Sequence, residues 1–255
     1  AYDADNNFGL GKNVGNDLVP GSAVDNTFFG DGSGAQVTTG DRNTFVGAKT
    51  GFDLATTTLS DATFIGYEAG DGSTVNGTTM IGSLAGNNGI TGTGNSGIGY
   101  GALGTLTSGQ NNTALGYESG NAVTSTSWSV FIGYRAGYLS TGGQNTFIGG
   151  HTGRQNTTGQ NNTFLGGGVG EANVTGDENT CIGQLSGYAS TGDNNTFLGQ
   201  QAGYTNTTGS RNLLLGHEAY GSSATVNDYL NIGNAIYGVM DTNATPAIGD
   251  GEASI

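Results

Sequence analysis

Asn195-Thr196-Phe197-Leu198-Gly199 is the stretch that returns from one end of the chain to the other. Close copies stand at residues 26–30, 43–47, 145–149 and 162–166, and looser ones lie between them. Successive copies start about 17 residues apart, a period that is typical of proteins whose repeats stack into a solenoid. The final glycines of the copies are Gly11, Gly30, Gly47, Gly66, Gly82, Gly99, Gly116, Gly133, Gly149, Gly166, Gly183, Gly199, Gly216, Gly233 and Gly249.

The composition excludes several classes of protein. Of 255 residues, 51 are glycine, and the formal net charge is -14 with only six Lys and Arg. Phosphate backbones and anionic lipids would repel such a chain, so neither nucleic-acid binding nor membrane insertion is expected. Only 10% of the residues are charged, and the polar ones are mostly Asn, Thr, Ser and Gln. This neutral polar composition favours an exported rod at the cell surface, with a virion fibre as the alternative.

The recurring stretch predicts a β-strand that is apolar on both faces, because adjacent strand residues point to opposite sides. We expect the residue before the final glycine to lie inside the coil, which assigns the coil core to Val46, Ile65, Ile81, Ile98, Leu115, Ile132, Ile148, Leu165, Ile182, Leu198, Leu215 and Ile232. A coil of this length looks too thin to hide a second row of large side chains. We therefore assign the preceding residues to an oligomer interface: Phe28, Phe45, Phe64, Met80, Phe131, Phe147, Phe164, Cys181, Phe197 and Leu214.

The rest of each repeat predicts two corners and a short second strand. The motif Gly133-Tyr134-Arg135-Ala136-Gly137 places a small residue between glycines, which fits a tight corner. Stacking would also bring one asparagine per coil into register, so that their amides can form a ladder: Asn26, Asn43, Asn95, Asn112, Asn145, Asn162, Asn179, Asn195 and Asn212. The predicted fold is an all-β parallel β-solenoid, or β-roll, of about 15 short coils.

Three segments are predicted. Residues 1–25 hold one degenerate repeat and are expected to cap the stack, since terminal repeats of solenoids are atypical. Residues 26–225 form the solenoid. Residues 226–255 depart from the pattern and are expected to form a C-terminal cap or a junction.

Two stretches resemble a known family. Ser96-Gly97-Ile98-Gly99 and Thr113-Ala114-Leu115-Gly116 resemble coils of the β-roll heads of trimeric autotransporter adhesins, although the present coils are longer and use Phe. The form Asn-Thr-Phe-Leu/Ile-Gly-Tyr-x-Ala-Gly, with the ending at residues 230–238, is similar to repeats of phage-type tail fibres. The resemblance implies a homotrimeric rod that is exposed to a cell-surface receptor or glycan.

Candidate chemical sites are few. Residues 99–104 match the dinucleotide fingerprint G-x-G-x-x-G, which functions only between a strand and a helix. His151 and His217 lack partners at a recurring spacing, so neither is expected to act as an acid, base or metal ligand. Asp and Asn in the turns are ligand types that Ca²⁺ uses, but no calcium-binding loop motif is present. Cys181 occupies the phenylalanine position and is expected to be a buried, unreactive side chain.

Two binding activities are weighed against a purely structural role. Trp128, Tyr134 and Tyr138 could stack on sugars, although packing is the commoner role of such side chains. One threonine recurs in most repeats: Thr27, Thr44, Thr63, Thr79, Thr113, Thr146, Thr163, Thr180 and Thr196. A regular array of threonines could bind ice. By alternation, however, these threonines share the face assigned to the coil core, which disfavours that role. We expect a non-enzymatic extracellular filament or fibre subunit, with an adhesin or tail-fibre module as the alternative and an ice-binding protein as a weaker one.

Overall fold

A computed structural model of the chain describes residues 5–53 and 58–239, and within these ranges it contains strands and turns but no helix. The strands are β1 (Phe8–Leu10), β2 (Thr27–Phe29), β3 (Thr44–Val46), β4 (Thr63–Ile65), β5 (Thr79–Ile81), β6 (Ser96–Ile98), β7 (Thr113–Leu115), β8 (Val130–Ile132), β9 (Thr146–Ile148), β10 (Thr163–Leu165), β11 (Thr180–Ile182), β12 (Thr196–Leu198), β13 (Leu213–Leu215), β14 (Tyr229–Ile232) and β15 (Ile236–Val239). The all-β prediction is confirmed.

The strands form one sheet in which each strand pairs with its neighbours in sequence. Strands β1 to β14 are parallel and in register, so that Thr163 pairs with Thr146 and Thr180. This is a β-solenoid of about 13 turns, and at about 4.8 Å per strand it is about 62 Å long. The chain then reverses, because β15 pairs antiparallel with β14. The predicted repeat glycine Gly249 and residues 240–255 of the predicted C-terminal segment lie outside the described residues.

Each coil contains a single strand of about three residues, and turns make up the rest. The predicted second strand is therefore wrong within the described part of the chain. Turn residues still bond from coil to coil, as where the Thr141 and Gly142 amides both donate to the Thr157 carbonyl, and such bonds recur at equivalent positions in successive coils without forming a second strand. The final position of each repeat requires glycine for steric reasons. A Cβ at Gly133, whose φ is +132°, would lie 2.5 Å from the Gly149 carbonyl oxygen of the next coil.

The phenylalanine column forms the core of the coil, and the predicted assignment of the two strand faces is reversed. The residues assigned to an oligomer interface are all buried within the single chain: Phe28, Phe45, Phe64, Met80, Phe131, Phe147, Phe164, Cys181, Phe197 and Leu214. Rings in successive coils stack, with centroids 4.8 Å apart for Phe45 and Phe64. This separation matches the spacing between strands, so each ring occupies the height of one coil.

The corner glycines provide the width that the rings need. A Cβ at Gly137 would lie 2.2 Å from the Phe131 ring, and one at Gly153 would lie 2.5 Å from the Phe147 ring. In the coil of Gly97 the corner position is a buried leucine, Leu103. The coil of Ala114 keeps a corner glycine, Gly120, where a Cβ would lie 2.7 Å from the Phe131 ring and 3.1 Å from the Leu103 side chain of the neighbouring coils. The corner and the core position thus share one volume, as expected of a densely packed interior.

The residues assigned to the coil core instead lie on the outside of the sheet. Each is exposed or half-buried: Val46, Ile65, Ile81, Ile98, Leu115, Ile132, Ile148, Leu165, Ile182, Leu198, Leu215 and Ile232. Leu115, for example, is 46% exposed, whereas Phe147 is fully buried. The physical reason is alternation, because once the rings point inward the flanking strand residues must point outward.

The predicted asparagine ladder is confirmed. The asparagines are buried and in register, and the Asn162 Oδ1 accepts hydrogen bonds from the backbone amide of Asn179 at 2.9 Å and from its Nδ2 at 3.2 Å. The Asn162 Nδ2 also donates to the Gly176 carbonyl at 2.8 Å. The ladder therefore satisfies backbone groups that the turns leave buried without partners.

Candidate interaction face

The outward side of the sheet carries three parallel columns of side chains, which together we call the outer face. The aliphatic column, Phe29 to Ile232, runs along the middle. The threonine column lies two residues before it in each coil, and the tyrosine column lies two residues after it, as Thr113, Leu115 and Tyr117 illustrate. Four tyrosines give the tyrosine column its name, Tyr67, Tyr100, Tyr117 and Tyr134, and its other positions from β2 to β14 are Asp31, Ala48, Ser83, Gly150, Gly167, Gln184, Gln200, His217 and Asn234. In the threonine column, Ser96, Val130, Leu213 and Leu230 replace threonine.

The threonine column is solvent-facing, which overturns the expectation that it is buried. Thr27, Thr113 and Thr163 are exposed and the other threonines of the column are half-buried. Within the described part of the chain, none of these strand hydroxyls forms a hydrogen bond. The threonines of the turns differ, because the Thr141 Oγ1 donates to the Thr157 carbonyl at 2.9 Å and the Thr157 Oγ1 to the Val174 carbonyl at 2.9 Å. The strand hydroxyls are thus available to another molecule.

The tyrosine column is a stack of half-exposed rings. Ring centroids of Tyr100 and Tyr117 are 5.2 Å apart, and those of Tyr117 and Tyr134 are 5.4 Å apart. His151 continues the stack with an edge contact to Tyr134 at 5.0 Å. The negative charge of Glu118 raises the pKa of Tyr117.

The threonine and aliphatic columns of the outer face are uncharged and lie between two charged margins. No Asp, Glu, Lys or Arg stands in the threonine or aliphatic column from β2 to β14. Ion pairs between neighbouring coils border it: Arg42 with Asp61 and Arg211 with Asp228 beside the threonines, Arg135 with Glu118 beside the tyrosines. These cations are already paired within the chain, so they do not make the face attractive to an acidic partner. An apolar centre with a polar margin is the usual anatomy of a protein interface.

The remaining candidates from the sequence are not assembled into a site. The fingerprint at residues 99–104 follows strand β6 but enters a turn, not a helix. His217 is exposed, and the described residues contain no group of three or more His, Cys, Asp or Glu that could hold a metal. Cys181 is buried as expected, and burial raises the pKa of its thiol. In the described ranges no helix is long and apolar enough to span a membrane.

The three aromatic residues considered for sugar stacking are placed differently. Neighbouring rings flank Tyr134, and the Arg135 guanidinium lies 5.4 Å from the ring centres of both Tyr134 and Tyr138. Trp128 is 65% exposed and has a φ of +59°, unusual for a bulky side chain. Glycan binding remains a prediction, and Trp128 is the aromatic side chain whose ring is available for it.

Comparison with known proteins gives no relative. No protein-family model, curated protein or solved structure matches this chain significantly.

Proposed function

We propose that the protein is a non-enzymatic structural rod, a subunit of an extracellular fibre that assembles with copies of itself as a homotrimer through the outer face. The observation that carries the proposal is the aliphatic column, which stays outward and uncharged through every coil from β2 to β14. Monomeric proteins rarely expose a continuous apolar surface of this length.

The size of the outer face supports the proposal. Twelve strand spacings make it about 58 Å long, and four residues of strand make it about 13 Å wide, so its area is about 750 Å². A stable protein interface buries about 800 Å² per partner. The area therefore supports assembly through the outer face, whereas the number of three chains comes from the resemblance alone. The proposed interface moves from the phenylalanine column to the outer face.

The test of this proposal is native mass spectrometry of the purified protein, together with negative-stain electron microscopy. We expect three chains per particle, seen as rods about 62 Å long or as fibres built from them. Fibres would favour a filament subunit, and single rods a fibre or adhesin module. A single-chain mass at micromolar concentration would refute assembly through the outer face.

Ice binding is the second candidate, and the outward threonine column favours it. The free hydroxyls repeat at the strand spacing of about 4.8 Å. In tetrahedral water with O–H···O distances of about 2.75 Å, oxygens that share a neighbour are about 4.5 Å apart. A rigid, uncharged column of hydroxyl and methyl groups could therefore match a layer of ordered water.

Ice binding is tested by the growth of single ice crystals in the presence of the protein. An ice-binding protein would shape the crystals and depress the freezing temperature, and Thr113→Lys with Thr163→Lys would abolish both effects. Unchanged round crystals would exclude this candidate. Because ice binding needs an uncovered face, a monomer that shapes ice would replace the structural proposal.

A further inference from the structure

The side chains at the two edges of the outer face differ in length. Thr113 at one edge and Tyr117 at the other flank Leu115 in the same coil. A threonine hydroxyl lies roughly 2.4 Å from its Cα, and a tyrosine hydroxyl roughly 6.5 Å from its Cα. The tyrosine edge continues with Gln184 and Gln200, which are also long side chains with a polar tip.

Assembly would remove the threonine hydroxyls from water, so they would need new partners. The strand hydroxyls form no bond within the described residues, and a buried polar group without a hydrogen bond is costly. Packed sheets lie about 10 Å apart. Two threonines facing each other across that gap would leave their hydroxyls about 5 Å apart, beyond hydrogen-bond distance.

A tyrosine opposite a threonine can close the gap. Their combined reach is roughly 9 Å, so a modest tilt of the ring brings the two hydroxyls within hydrogen-bond distance. Tyr67, Tyr117, Gln184 and Gln200 each share a coil with a threonine, and Tyr100 shares one with Ser96, so a parallel, in-register arrangement forms the contact in those coils and not in every coil. The Tyr117 phenol is protonated at neutral pH and can serve as the donor.

We infer that neighbouring copies lie parallel, with the threonine column of one copy against the tyrosine column of the next. This inference rests on the proposed assembly through the outer face. Symmetry makes the edges in contact depend on the relative direction of neighbouring rods. Rotation about an axis parallel to the rods keeps the copies parallel and places the threonine edge of one copy against the tyrosine edge of the next. An antiparallel arrangement places threonine edge against threonine edge. The aliphatic columns meet at the axis in the parallel arrangement.

The inference is tested by cross-linking co-expressed cysteine variants. Disulfides need Cα atoms within about 7 Å, so a short bismaleimide is used to span the wider gap. Thr113→Cys and Tyr117→Cys are co-expressed on differently tagged chains, and we expect covalent pairs that contain both tags. Either variant alone should give none, and the parent protein is the background control because its Cys181 is buried.

An antiparallel arrangement is tested with a second pair of variants. If a two-fold axis passes near the middle of the face, between β8 and β9, Thr113 lies opposite Thr163. Cross-linking of Thr113→Cys with Thr163→Cys, and not with Tyr117→Cys, would overturn the parallel arrangement and the trimer, while leaving assembly of a structural rod through the outer face standing. A protein of single-chain mass would instead refute the proposed function itself.

Discussion

The two sides of the same three-residue strand have opposite environments in this solenoid. Phe147 is fully buried between stacked rings, whereas Ile148, the next residue, lies on the outer face. Both are large and apolar, so hydrophobicity does not distinguish them. The comparison teaches that the neighbouring corner decides which side is core: Gly153 leaves the space into which the Phe147 ring fits.

The largest difference is expected between alanine substitutions on the two sides. Phe147→Ala removes a fully buried ring and should lower the free energy of unfolding by about 3–5 kcal/mol. Ile148→Ala is the matched control and should lower it by less than about 1 kcal/mol in the single chain. Urea denaturation at low protein concentration measures both. Equal losses would contradict the assignment of the two faces.

The asparagine ladder sharpens the comparison inside the coil. Asn162→Ala removes the acceptor of the buried Asn179 amide and should destabilise the protein by about 2–4 kcal/mol, since donors and acceptors are left unpaired. Asn161→Gly is the control, because Asn161 is exposed and has a φ of +57° that glycine tolerates. The ladder would have no such role if the two variants melted at the same temperature.

Two threonines extend the comparison to hydrogen bonding. The Thr157 hydroxyl bonds to the Val174 carbonyl of the next coil, so Thr157→Val should lower the free energy of unfolding by about 1 kcal/mol. Thr163→Val removes a strand hydroxyl that is free within the described residues and should leave the stability of the single chain unchanged. Chemical denaturation of the two variants measures the difference, and a loss at Thr163 would show that its hydroxyl is engaged within the chain.

The smallest effect is expected at the charged margin of the outer face. The hydrogen bonds from Arg211 to Asp228, at 2.6 and 2.8 Å, lower the pKa of Asp228. A lowered carboxyl pKa contributes stability above the ordinary aspartate pKa, and this contribution is lost as the pH falls through the folded value. Asp228→Asn should therefore melt slightly lower at pH 7 and equally at pH 2. A difference that persists at pH 2 would exclude this ion pair as its cause.

Much of the fold could be predicted from the repeat. The spacing of the glycines predicts the coils, and the constant phase of Asn162 and its equivalents predicts the ladder. The number of strands per coil could not be predicted, because 24 non-glycine residues within ranges 5–53 and 58–239 have a positive φ and many, such as Glu118 and Arg135, belong to types that seldom mark turns. Their conformation depends on bonds to the neighbouring coil, such as that from the Arg135 amide to the Tyr117 carbonyl of the preceding coil.

The outer face was missed because a strand that is apolar on both sides does not reveal which side is buried. A usable signal was present in the coil of Gly97, where the core residue is small and the corner residue is large. The phenylalanine position varies in size, and at Gly97 the corner residue becomes Leu103, as expected if both fill one cavity. The aliphatic position never becomes small or polar from Phe29 to Ile232, a constancy that we attribute to an interface.

The measurement that tests the central claim most directly is the solution mass of the variant Ile148→Asp with Leu165→Asp, compared with that of the native protein by sedimentation equilibrium. Both substitutions place a charge in the aliphatic column and leave the phenylalanine core intact. We predict a native mass of three times 25.5 kDa, and a variant of 25.5 kDa with an unchanged circular dichroism spectrum. A native protein of single-chain mass, or a variant that keeps the native mass, would contradict the account.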